Sequence, residues 1–155
     1  MKILFVGRSE CGKTLAGEYA ATLLKTKCTN ISDLLVAEFA EKMGVSPDVI
    51  MKNKEEYRKP LWELGRSYQE SSPASLALKA LEAGDVVTGV RNKDEFEACR
   101  GLFDKVVWVS RFSAQAKIGD VLTPEDADVI LDNNGSKNDL YMAVMDLMGV
   151  TAVEL

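Results

Sequence analysis

The chain has 155 residues, of which 46% are hydrophobic and 28% charged, as in a folded globular domain. A net charge of -5 argues against a nucleic-acid partner, and the absence of histidine excludes imidazole base catalysis, Ser-His-Asp triads and histidine-ligated zinc. Three cysteines without Cys-x-x-Cys spacing, and a first apolar run too short for a signal peptide or a membrane span, predict a reduced cytoplasmic protein (in the host cytoplasm if the chain is viral) with no membrane partner.

The first predicted elements are a strand, a glycine-containing loop and a helix. Residues 3–6 form a continuous apolar run, which is typical of a parallel strand buried on both faces. A helix is predicted over residues 14–25, because apolar side chains recur there on one face. A weaker strand over residues 27–31 and a helix over residues 33–43 follow, and Gly44 suits the end of that helix.

Helix-start and helix-end signals follow one another through the middle of the chain. Serine-proline pairs at residues 46–47 and 72–73 open helices, and Gly84 closes the second of these. The Asn-x-x-Glu string at residues 53–56 resembles a capping box. We expect Pro60 to end that short helix and to start a longer one, because proline is tolerated best in a first turn.

Strands return in the second half of the chain. Three apolar runs are predicted as strands: residues 85–90, 106–109 and 127–131. Capping-box strings at residues 92–95 and 136–139 start the helices that follow the first and the last of these strands. The alternation predicts a single domain over residues 1–155 with the α/β fold, in which helices cover both faces of one mostly parallel sheet.

Residues 7–14, GRSECGKT, match the phosphate-binding pattern G-x-x-x-x-G-K-[ST] in full. The backbone of such a P-loop curls round an anion, and the helix that begins at Lys13 adds its positive dipole end. Lys13 would reach the β- and γ-phosphates of ATP, and the Thr14 hydroxyl would ligate Mg²⁺. The predicted ATP-binding residues of the loop are Gly7, Ser9, Glu10, Cys11, Gly12, Lys13 and Thr14. Beside Lys13, the thiol of Cys11 is expected to have a lowered pKa.

The P-loop alone does not separate kinases from ATPase and GTPase switches. The guanine-reading string N-K-x-D is missing, and the strand over residues 85–90 carries Gly89 where a metal-binding acid would stand. A switch is therefore disfavoured, whereas a small-molecule kinase and a catalytically weak ATP-binding module both stay open. Without that acid, the second contact to Mg²⁺ is left to Thr88 or to Asp33, acting through water.

Beyond the P-loop, the chain resembles the phage-type deoxynucleoside monophosphate kinases, a branch of the P-loop kinases. Four further strings match that family in the same order: ISDLL at 31–35, YRKPL and a Leu-Gly pair within 57–65, VVTGVR and a glutamate within 86–95, and DVILDNNGS and a leucine within 128–140. The resemblance implies a nucleoside monophosphate kinase-like P-loop NTPase fold. It also implies transfer of the γ-phosphoryl of ATP, with Mg²⁺, to the 5′-phosphate of a (deoxy)nucleoside monophosphate. The oligomeric state stays open, with a homodimer as one option.

The resemblance assigns the acceptor site to three residues. Asp33 and Arg58 would lie in that site, and Arg91 would hold the acceptor phosphate. Each also has a structural interpretation: Asp33 suits the first turn of a helix, Arg58 belongs to a charged run, and Arg91 is spaced to pair with Glu95. Trp62, Tyr68 and Leu64 are expected to pack in the core and not to stack on a base.

The same resemblance assigns the other half of the site. Asn134 and Gly135 would lie beside the adenine of ATP. Arg111 would neutralise charge on the transferred group from a short lid over residues 111–125, whose other cation is Lys117. The predicted catalytic residues are Lys13, Arg91 and Arg111.

Overall fold

The computed structural model describes residues 1–116 and 120–149, so Lys117 of the predicted lid lies outside the described residues. The five strands within these ranges are β1 (Ile3–Val6), β2 (Cys28–Asn30), β3 (Val86–Thr88), β4 (Lys105–Ser110) and β5 (Val129–Asp132). The described residues also form seven α-helices: α1 (Lys13–Leu24), α2 (Ile31–Met43), α3 (Pro47–Lys52), α4 (Lys54–Ser71), α5 (Ser75–Ala83), α6 (Lys93–Cys99) and α7 (Lys137–Met148).

The five strands form one parallel sheet in the order β2-β3-β1-β4-β5. The central strand β1 is completely buried, which explains why its sequence is apolar at every position instead of alternating. In the register of the sheet, Phe5 lies opposite Thr88 on one side and Val107 on the other. The prediction of a parallel α/β sheet is confirmed.

Helices cover both faces of the sheet, and each face has its own apolar core. On one face, Phe5 of β1 packs with buried residues of α1 and α7, such as Ala20 and Val144. On the other face, Leu4 packs with buried residues of α2, α5 and α6, such as Phe96. Among the described residues, no helix is both long and apolar enough to cross a bilayer.

The start of α4 differs from the prediction. Helix α4 runs without interruption through Pro60, and the side chain of Asn53 donates to the carbonyl of Val49 instead of capping α4. Proline keeps a helical φ and removes one N–H, so a helix can continue through it where packing compensates for the lost bond. Here the ring of Tyr57, before the proline, packs edge-on against Phe39 of α2. The predicted break at Pro60 is therefore wrong.

Candidate active site

The carboxyl ends of the five parallel strands bring the predicted site residues to one edge of the sheet. The P-loop follows β1, Arg91 follows β3, and Arg111 follows β4. Asn134 comes after β5, and Asp33 lies in the first turn of α2, directly after β2.

The backbone of the P-loop has two residues in the left-handed region, Glu10 with φ of 64° and Gly12 with φ of 94°. A side chain at position 12 would also collide with the carboxamide of Asn133. Asn133 is buried, and its Nδ2 donates to the carbonyl of Cys11 at 2.7 Å. Glycine is therefore required at position 12, and Asn133 ties the end of β5 to the loop, a role that the sequence analysis did not assign.

Lys13 is nearly buried, with 7% of its surface exposed. Its Nζ donates to the carbonyls of Gly7 at 3.3 Å and Arg8 at 3.2 Å, inside the curl of the loop. Burial lowers the pKa of Lys13, and the nearby guanidinium of Arg91 lowers it further. Two cations from different strand ends therefore lie close enough to repel each other, an arrangement that favours an anion near them.

A carboxylate already occupies part of the P-loop. The backbone N–H of Ser9 donates to Asp120 at 3.1 Å, and the Ser9 hydroxyl lies 3.2 and 3.3 Å from the two oxygens of the same carboxylate. Asp120 is also close enough to Lys13 to raise its pKa, against the larger lowering by burial. The loop therefore holds an anionic group by a backbone N–H, a hydroxyl and a nearby ammonium group, the donors that a phosphate would use.

The environment of Cys11 contradicts the predicted reactivity of its thiol. Cys11 is 1% exposed, and a side chain added at Gly7 would lie 2.6 Å from its sulfur. Burial raises the pKa of the Cys11 thiol, and this effect outweighs the opposing influence of Lys13. The prediction of a lowered pKa is wrong, because the side chain points into the core while only the backbone faces the loop.

The three residues predicted for the acceptor site line one cavity of about 610 Å³, here called the Asp33 cavity. Asp33 comes from α2, Arg58 from α4, and Arg91 from the end of β3. Arg58 also pairs with Glu55 at 3.1 Å, but this pair is largely exposed and contributes little to stability. Asp33 therefore lies in the first turn of α2 and Arg58 pairs with Glu55, and both side chains also line the cavity.

The structural interpretation of Arg91 was an ion pair between its side chain and that of Glu95, and the structure shows a different interaction. The backbone N–H of Arg91 lies near enough to the carboxyl group of Glu95 to lower its pKa, and no ion pair joins the two side chains within the part of the chain that the structure describes. The guanidinium of Arg91 is exposed and lines both the Asp33 cavity and a neighbouring one. Its charged end is thus available to a ligand.

The neighbouring cavity, of about 410 Å³, is lined by Glu95 and is here called the Glu95 cavity. Burial raises the pKa of Glu95 to about 7, although the bond from the Arg91 backbone opposes this rise. Trp62 lines both cavities and is 61% exposed, so the prediction that it packs in the core is wrong. Neither residue was assigned to the site from sequence; the glutamate four residues after Arg91 was the available signal.

The predicted adenine side lies beyond β4 and β5. The Oδ1 of Asn134 accepts the backbone N–H of Phe112 at 2.8 Å, which fixes the start of the predicted lid to the loop after β5. Arg111 lines a cavity of about 260 Å³ together with Arg8 and Phe112, and its Nε donates to the hydroxyl of Ser113 at 3.2 Å. Gly135 follows Asn134 immediately before the capping box of α7.

The residues around Thr14 fit a magnesium ion whose ligands are mainly phosphate oxygens and water, with the Thr14 hydroxyl as a protein ligand. Thr14 is exposed in the first turn of α1, and Mg²⁺ keeps several waters and needs only one or two protein ligands. Within residues 1–116 and 120–149, no cluster of three carboxylate or thiol side chains forms a cage for a metal. Bound with ATP, the ion would supply charge neutralisation at the phosphates.

Several solved structures share the architecture of this chain. Shikimate kinase from Aquifex aeolicus is 15% identical and matches with a TM-score of 0.55, covering 96% of this chain and 97% of its own. Shikimate kinase from Acinetobacter baumannii, in complex with shikimate, is 18% identical, with a TM-score of 0.58 and coverage of 95% and 92%. A sugar kinase from Janibacter sp. is 14% identical, with a TM-score of 0.50 and coverage of 99% and 96%. The chain shares the α/β fold of these three proteins.

This match confirms the predicted P-loop NTPase type of α/β fold. No family model and no curated protein matched the sequence. Because these three structures are 14–18% identical to the chain, their likeness concerns the fold and not the substrate. The phage-type deoxynucleoside monophosphate kinase branch therefore stays a prediction.

Proposed function

We propose that the protein transfers the γ-phosphoryl group of ATP to the 5′-phosphate of a (deoxy)nucleoside monophosphate. An acceptor oxygen attacks the γ-phosphorus, the bond to the β–γ bridging oxygen breaks, and ADP leaves with the electron pair of that bond. The observation that carries the proposal is that Arg91 lines the Asp33 cavity together with Asp33 and Arg58, and that its charge also acts on Lys13 of the P-loop.

The donor half of the proposal is supported by the P-loop. Lys13 and the N–H of Ser9 face an anionic group even without nucleotide, since the Asp120 carboxylate is held there. A triphosphate would replace this carboxylate and bring more oxygens to the same donors. Thr14 and the phosphate oxygens would hold Mg²⁺, and Arg111 would meet charge that develops on the transferred group.

The acceptor half is supported by the charges of the Asp33 cavity. Arg91 can hold a phosphate dianion by two parallel hydrogen bonds, and Arg58 of α4 adds a second cation to the lining. Asp33 supplies the acceptor oxygens that a sugar hydroxyl or a base N–H requires. An acceptor that carries a phosphate and several hydrogen-bond donors matches this lining.

A coupled assay of ADP formation with MgATP tests the proposal. We expect rapid ADP formation only when a nucleoside monophosphate is present, across a panel of ribo- and deoxynucleotides with shikimate and simple sugars as comparison acceptors. The Lys13→Ala variant should lose more than tenfold in kcat while its circular dichroism spectrum stays unchanged, because it lacks the cation that follows the moving phosphoryl group. No ADP with any monophosphate, or a folded Lys13→Ala variant with near wild-type kcat, would contradict the proposal.

A second candidate is an ATP-binding module with little transfer activity. It is favoured by Gly89, which stands where an acid would assist the metal and whose φ of 95° disfavours any side chain. The same assay distinguishes the two candidates, because a binding module forms no ADP with or without an acceptor. A switch ATPase would instead release phosphate in the absence of any acceptor.

A further inference from the structure

An exposed tryptophan stands at the boundary between the two cavities. Trp62 lines both the Asp33 cavity and the Glu95 cavity, and 61% of its surface is exposed. The guanidinium of Arg66, one turn further along α4, lies 5.2 Å from the centre of the indole ring. The indole ring is therefore accessible from both cavities and can offer a flat apolar surface to a ligand that enters them.

We propose that Trp62 is the stacking surface for the nucleobase of the acceptor. The proposal rests on the proposed function and names the part of the acceptor that fills the Glu95 cavity. A base ring lies flat against an indole ring, and such stacking is tolerant of base identity because every base has a π-face. Arg66 would then steady the indole from the side of α4.

The placement of Arg91 supports one ligand that reaches both cavities. Arg91 and Trp62 are shared by the linings of the Asp33 and Glu95 cavities. With its phosphate on Arg91, a nucleoside monophosphate would carry its base past this shared wall towards Trp62. A small acceptor without a flat ring, such as a sugar phosphate, could use Arg91 but would leave the indole exposed.

The chemistry of the Glu95 cavity also fits a base. Most of its lining is apolar, as a stacked ring requires, and its polar members include Ser32, Asn92 and the buried carboxyl group of Glu95. Glu95 is 5% exposed, and the interaction found for it in the cavity wall is with a backbone N–H. A carboxyl group has more oxygen positions than this one bond uses, so the N–H edge of a base can bind beside it.

Acrylamide quenching of tryptophan fluorescence tests the stacking directly. The chain has two tryptophans, and because Trp108 is buried, the quenchable emission comes from Trp62. We expect an accepted nucleoside monophosphate to protect wild-type fluorescence from acrylamide, and ribose 5-phosphate to give no such protection. The Trp62→Phe variant, which retains only Trp108, is the matched control and should show no protection with either ligand.

Kinetics provide the second readout. Trp62→Ala should raise the KM for the nucleoside monophosphate roughly tenfold, within the range expected for loss of one stacked base, and leave the KM for ATP unchanged. Trp62→Phe should restore most of the loss, since phenylalanine also stacks. Because Trp62 is exposed, both variants should keep the wild-type melting temperature.

Three results would overturn the inference. If monophosphates are phosphorylated but neither protection nor a KM change is found, the proposed function stands and the stacking does not. Equal protection by ribose 5-phosphate would mean that closure of the site, and not the base, covers Trp62. If no monophosphate is phosphorylated or bound at all, the proposed function fails and the inference fails with it.

Discussion

The buried carboxyl group of Glu95 predicts a specific dependence of stability on pH. Burial raises its pKa from 4.5 to about 7 in the folded chain, whereas the unfolded chain retains the ordinary value. Between these two pH values the folded state holds a proton that the unfolded state has lost, so the free energy of unfolding falls as the pH rises. At about 1.4 kcal/mol for each pH unit, the rise in pKa amounts to a loss of about 3 kcal/mol by pH 8.5.

The Glu95→Gln variant removes this titration and keeps an oxygen for the Arg91 backbone N–H. We expect urea denaturation to give similar stabilities for the two proteins at pH 4, and the variant to be more stable by about 3 kcal/mol at pH 8.5. Glu97→Gln, at an exposed position of the same helix, is the matched control and should follow the wild type at every pH. Parallel pH curves for wild type and Glu95→Gln would refute the assignment of a raised pKa.

Two further predictions concern Arg91 and the cysteines. Arg91→Lys should raise the acceptor KM and lower kcat/KM by about 1–3 kcal/mol while the KM for ATP stays the same, because lysine cannot form two parallel bonds to a phosphate. Steady-state kinetics with each substrate varied in turn measure this, and an unchanged acceptor KM would contradict it. Cys11 and Cys99 are buried, so intact-mass spectrometry should find both unmodified by a thiol reagent until urea unfolds the chain. Fast labelling of Cys11 in the folded protein, suppressed by MgATP, would restore the reactive thiol that the structure contradicts.

The elements that the sequence predicted well are determined by neighbours in the chain. The run at β1 is apolar at every position because both faces of the strand are covered, and that pattern is visible without a structure. Ser136 and Asp139 bond each other's backbone N–H groups in the predicted capping box, and Asn92 accepts two N–H groups at the start of α6. Gly44 ends α2 in the left-handed conformation that glycine favours.

The wrong predictions concern side chains whose surroundings come from distant parts of the chain. Nothing near Pro60 in sequence indicates that Phe39 packs against the turn before it. Cys11 stands two residues before Lys13 in the sequence, but its side chain packs in the same core cluster as Val109 of β4. The Cys11 sulfur and the Val109 carbonyl both lie close to Gly7. Trp62 is a large apolar side chain of the kind usually buried, but it lies 61% exposed on α4. Local pattern cannot distinguish these outcomes.

Gly89, which stands where a metal-binding acid would be expected, is glycine for a structural reason. A side chain at this position would lie 2.8 Å from Oδ1 of Asn30, and the φ of 95° would strain any residue but glycine. That same Oδ1 accepts the N–H of Ser32 at 2.8 Å and so caps α2, the helix that carries Asp33. An aspartate at position 89 would therefore disturb the cap that positions an acceptor-site carboxylate. If an acid assists the metal in this chain, it comes from another element, and Asp33 is the predicted site residue with a carboxylate on the cavity wall.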